Sequence, residues 1–82
     1  MKRKNLSVII WEDAAGTSGW LDVDSGDDGL MMIVSAGFVL REDKKVVTLI
    51  QSVGTDGKRY DNSITIPKSN ILKRKSIARI PV

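Results

Sequence analysis

Three features of the 82-residue chain predict an all-β fold. No long stretch sets apolar residues at i, i+3, i+4 and i+7 against a polar face, so helical periodicity is missing. β-Branched residues are abundant. Gly, Asn, Asp and Ser fall between the apolar runs, a pattern of short strands separated by turns.

The first strand is expected at Leu6–Trp11, built on Val8, Ile9, Ile10 and Trp11. Residues 1–5 then form a basic arm. Glu12–Gly29 reads as a long loop, because four glycines and six acids make poor strand material. Within it, Trp20-Leu21-Asp22-Val23 reads as a short extended piece folding back on the body. The second strand is expected at Leu30–Leu40, with a bend or bulge at Gly37. Arg41-Glu42-Asp43-Lys44 reads as a tight hairpin loop, and Lys45–Val53 as the third strand. Asp56-Gly57 marks the next turn, because glycine takes positive φ without strain. Asn62–Ile66 alternates as a short fourth strand. Pro67-Lys68-Ser69-Asn70 reads as a single 3₁₀ turn, with Ser69 and Asn70 bonding to nearby backbone. Ile71–Ile77 is the expected fifth strand, and residues 78–82 a tail.

This order resembles that of SH3-like and Sm-like small barrels, with Ile64-Thr65-Ile66-Pro67-Lys68-Ser69-Asn70-Ile71 as the strand, 3₁₀ turn and strand. The resemblance covers about residues 6–77 and implies that residues 1–82 form a single five-stranded barrel domain, its edges removed by closure. It implies no particular activity. A closer resemblance covers residues 8–72. Trp11-x-Asp13, Gly19-Trp20, Ser35-x-Gly37-Phe38-Val39, Gln51-Ser52 and Ile64-x-Ile66-Pro67-Lys68-x-x-Ile71 are similar to a group of small bacteriophage-encoded proteins. That resemblance implies a viral origin and brings no activity with it.

The absences are the firmest functional statements. Without cysteine there are no disulfides, thiolate nucleophiles or sulfur-ligated zinc sites. Without histidine there is no Ser-His-Asp or Cys-His catalysis and no histidine switch. Asp22, Asp24, Asp27 and Asp28 suggest calcium, but an EF-hand register starting at Asp22 has Gly26 at position 5 and Ile33 at position 12, and one starting at Asp24 has Gly26 at position 3 and Ser35 at position 12. They read as a solvated acidic loop. Paired-carboxylate catalysis needs a cleft with carboxyls about 5–9 Å apart, for which a barrel this small has little room. Gly16-Thr17-Ser18-Gly19 lacks the Gly-Lys-Ser/Thr ending of a phosphate loop, and no helix follows it. No enzyme activity, cofactor or metal is expected. The longest apolar stretch, Leu30–Leu40, is too short for a helical span of about 20 residues, and the start is not a signal peptide. No membrane association is expected, and the cytoplasm is the default compartment, a host cytoplasm if the gene is viral.

Charge is unevenly distributed. Residues 1–4 carry +3, residues 5–40 carry −6 and residues 41–82 carry +6, within a net +3. Lys2, Arg3, Lys4, Lys73, Arg74, Lys75 and Arg79 are the candidate nucleic-acid contacts. In a small barrel the first and last strands lie side by side, so the two clusters would merge. No aromatic residue lies in 61–82, so contacts to DNA or RNA would be to phosphate, with weak sequence specificity. The bland alternative is a solvated charge run protecting an edge strand. Trp20, Asp22, Asp24, Asp27 and Asp28 are the candidate protein interface, with Trp20 either pinning the loop or presenting an exposed face. Phe38 is expected in the core, Trp11 at one mouth of the barrel and Tyr60 half-buried in a hairpin.

The function expected first is a non-enzymatic phage accessory protein that binds a host or phage protein. The alternatives are nucleic-acid binding through the basic termini and self-assembly, in which the acidic and basic surfaces of successive copies attract each other. Oligomers are also a common resort of domains this small.

Overall fold

Residues 3–13 and 31–81 are described by the structure, a computed structural model. They form β1 (Arg3–Asp13), β2 (Met31–Glu42), β3 (Val46–Val53), β4 (Tyr60–Pro67), a 3₁₀ turn (Lys68–Asn70) and β5 (Ile71–Pro81). All five strands join one antiparallel sheet in the order β4-β3-β2-β1-β5.

The bend in β2 shapes the molecule. Met31–Phe38 pair with β1, whereas Phe38–Glu42 pair with β3. Phe38 therefore lies opposite both Leu6 and Ile50. A Cβ on Gly37 would sit 2.7 Å from the Ile50 carbonyl oxygen and 3.2 Å from the Leu49 Cβ, so the bend brings backbone close enough to require glycine. A bulge at Leu40 adds to the turn.

The bend folds the sheet over its own core. Ile9 and Trp11 from β1 meet Val47 and Leu49 from β3 and Ile66 from β4, with Ile33, Val39 and Ile71 packed against them. Each such side chain contributes roughly 1.5–3 kcal/mol on burial. Trp11 donates its Nε1–H to the Ser35 hydroxyl at 3.0 Å. No buried side-chain polar atom among the described residues lacks a partner.

Both hairpin turns are secured locally. The Asp43 carboxylate accepts the Lys45 and Val46 amides at 2.7 and 2.9 Å. The second turn uses Gly57 at φ 72°, and the Gly57 amide donates to the Gly54 carbonyl at 2.8 Å.

The expected closed barrel is not formed. The ladders leave β4 and β5 as the two ends of an open sheet. β5 spends its hydrogen bonds on β1 along nearly its whole length. Register shifts leave Leu72 and Ile77 as extra residues on β5, and they bend it as it follows β1. A side chain fastens the 3₁₀ turn to β1. Asn70 donates its Nδ2 to the Glu12 carbonyl at 2.9 Å, beside the Trp11–Ile71 pair of the β1–β5 ladder and not to backbone near it in sequence as its turn chemistry suggests.

Several boundaries also differ. β1 begins at Arg3 and β5 continues to Pro81, so most of the expected arm and tail is strand. Each supplies backbone groups for the other, a pairing invisible in either segment alone. Phe38 is half-buried and lies outside the core cluster, because it stands at the bend. Tyr60 is exposed.

Candidate functional site

The expected protein-interface residues Trp20, Asp22, Asp24, Asp27 and Asp28 lie outside the described residues, as does Lys2. The remaining candidate cations all lie on the β1–β5 pair. First and last strands are neighbours, as expected, but the cations do not merge into one patch. Arg3 lies opposite Pro81, seven positions from Arg74 along β5. At ~3.3 Å per residue that separation exceeds ~20 Å.

Arg74 also belongs to another arrangement. It stands opposite Ile9, on the core side of the sheet, and donates NH1 and NH2 to the Glu42 carboxylate at 2.9 and 2.7 Å. Lys68 Nζ approaches the same carboxylate at 2.7 Å. Hydrogen bonds from Arg74 and then Lys68 push the Glu42 pKa down to about 2, and Glu42 raises that of Arg74. One carboxylate thus links the end of β2 to the 3₁₀ turn and to β5, where no ladder runs.

Lys73 and Lys75 take the opposite face. The registers place them in rows with β1 and β2: Val34, Ile10 and Lys73, then Ala36, Val8 and Lys75. Because successive strand residues alternate, these rows share the face turned away from Ile9 and Trp11. Apolar side chains on it stand in solvent, with Val34 68% exposed, Met32 64% and Ile77 53%. Val8, Ile10, Lys73, Arg74, Lys75 and Ile77 border a shallow depression of about 270 Å³. Neither lysine makes an ion pair with a described residue. Between Lys4 and Glu12, which share it by the same alternation, the face is apolar along β2 and β1 and cationic along β5.

This face carries a signal in the sequence. Val8-Ile9-Ile10-Trp11 and Met31-Met32-Ile33-Val34 are apolar at every position, so both faces of each strand are apolar. Continuous apolar runs belong to strands covered on both sides. In a single bent sheet only the concave side can be covered by the sheet itself.

A second cleft of about 210 Å³ opens beside Ser35, Gln51, Asn62 and Ile64. Asn62 adopts φ 49° and donates Nδ2 to the Gln51 Oε1 at 3.1 Å. Among the described residues no cluster of three His, Cys, Asp or Glu side chains could hold a metal. No helix among them is long and apolar enough to cross a membrane. No family model, curated protein or solved structure matches the chain.

Proposed function

We propose that the chain is a non-enzymatic accessory protein that binds a protein partner on the outer face of β5, β1 and β2. The observation that carries this reading is the pair of rows Val34, Ile10, Lys73 and Ala36, Val8, Lys75. Leaving this much apolar surface in water is costly unless something covers it. The two lysines along one side, without an ion pair among the described residues, specify the occupant by charge. It is a protein segment with apolar residues facing β1 and β2 and carboxylates facing β5.

The strand order and the 3₁₀ connection between β4 and β5 support kinship with SH3-like and Sm-like small barrels, and a viral origin goes with the closer resemblance. Self-assembly by edge pairing is less well supported. Bulged Leu72 and Ile77, exposed lysines and the core-facing Arg74 are devices that keep an edge strand from recruiting another.

A photo-crosslinking side chain at position 34, and a control at Ser52 on β3, test the reading in extracts of the host cell. The expected result is a discrete hetero-crosslink from position 34 alone, lost when Lys73 and Lys75 are both changed to Ser. Equal products from both positions, or a product indifferent to the lysines, overturn the proposal. A crosslink between two copies of the chain replaces it with self-association.

A further inference from the structure

We infer that the paired ends of β1 and β5 form a ribbon that enters the major groove of duplex DNA. β2 last pairs with β1 at Leu6, so Arg3–Asn5 and Arg79–Pro81 continue as two strands past it. Arg3 lies opposite Pro81, Lys4 opposite Ile80 and Asn5 opposite Arg79.

Alternation sorts these side chains. Arg3, Asn5 and Arg79 share one face and all are exposed, whereas Lys4 and Ile80 share the other and are half-buried. The exposed face thus carries two guanidinium groups and one carboxamide. Neither Arg3 nor Arg79 makes an ion pair with a described residue. Arginine donates two hydrogen bonds to guanine O6 and N7, and asparagine bonds adenine N6 and N7 with matching geometry. All those base atoms lie in the major groove, which in B-form DNA admits a two-stranded ribbon. The deep, narrow major groove of duplex RNA does not.

This site is distinct from the apolar outer face. Lys73 and Lys75 lie further along β5, opposite Ile10 and Val8, and do not belong to the ribbon end. The Glu42 pairing likewise takes Arg74 out of reach of phosphate.

Fluorescence anisotropy with a labelled DNA duplex, an RNA duplex of the same sequence and single-stranded DNA, at low salt, tests the inference. The DNA duplex should bind at least tenfold more tightly than either of the others. Its affinity should fall as salt rises, because two guanidinium groups displace counterions on entering the groove. Arg3→Ser and Arg79→Ser should each weaken binding by roughly 5- to 150-fold and relax the preference at one guanine, as loss of a bidentate base contact does. Asn5→Ala should leave the salt dependence unchanged and relax base preference. The double variant Lys73→Ser/Lys75→Ser should bind like the parent, and circular dichroism should show every variant folded. No binding, equal affinity for DNA and RNA duplexes, or unchanged affinity and base preference in the folded Arg3 and Arg79 variants overturns it.

Discussion

Arg74 reaches from β5 to Glu42 at the end of β2 and holds both carboxylate oxygens, at 2.9 and 2.7 Å, across a gap that no backbone ladder spans. Lys68 completes the contact from the 3₁₀ turn. The two lobes of the bent sheet are therefore tied at their open side by charge. All three side chains are about one-third exposed, so water and salt weaken the link without abolishing it.

Glu42→Gln should lower stability by about 1 kcal/mol, because a partly buried bidentate pair with a second cation exceeds an isolated surface pair. For a domain of this size that is a fall of roughly 4–8 °C in Tm. Thermal unfolding at low and high salt should show the difference between parent and variant shrinking as salt rises.

Acid should expose the same link. Glu42 has a folded pKa of about 2 against an ordinary 4.5, so the folded state holds fewer protons than the unfolded state between these values. Its stabilisation is complete above about pH 4.5 and is lost as the pH falls towards 2. Asp43, held below its usual value first by the Lys45 amide and then by the Val46 amide, acts in the same direction. Urea midpoints across this range should fall less steeply for Glu42→Gln than for the parent, with Asp43 supplying the remaining slope.

Gly37→Ala should cost about 1–3 kcal/mol, the usual range for overpacking. The added methyl would meet the Ile50 carbonyl oxygen at 2.7 Å, and backbone cannot yield as a flexible side chain does. A lower urea midpoint with an unchanged m-value is the expected signature. An equal cost for Gly54→Ala, whose added methyl meets the Asp56 carboxylate at 2.9 Å, would contradict this account.

The Trp11–Ser35 hydrogen bond should appear as coupling energy. Ser35→Ala and Trp11→Phe, separately and together, should give about 0.5–1.5 kcal/mol of interaction in a double-mutant cycle. Trp11 is 5% exposed, so its indole N–H has little access to water once Ser35 is removed. Full additivity would show that the 3.0 Å contact contributes nothing.

Asn62 occupies φ 49° within β4, where a side chain without a polar group is strained. Asn62→Ala should cost about 1 kcal/mol and Asn62→Gly less, because glycine takes this conformation freely. Chemical denaturation of the two variants checks the order.

Local chemistry was enough to place the elements. The runs Val8–Trp11 and Val46–Ile50 announced strands, Asp56-Gly57 its turn, Gly37 the bend and Pro67–Asn70 the 3₁₀ turn. Each is a preference of a few adjacent residues for certain φ and ψ, or a close approach that only glycine permits. Strand ends were less legible. Arg3–Asn5 and Ala78–Pro81 read as arm and tail because neither is strongly β-forming and each becomes strand only against the other.

Composition alone determined the absence of thiol and imidazole chemistry, and the order of residues along the chain determined the all-β class and the opposed charge of successive segments. Tertiary structure decided that the sheet stays open, that Arg74 turns to Glu42 while Lys73 and Lys75 turn outwards, and that Val34 and Ile10 share their rows with lysine. Those outcomes depend on register between distant strands. A shift of one residue exchanges the two faces of a strand, and no local preference records which register is chosen.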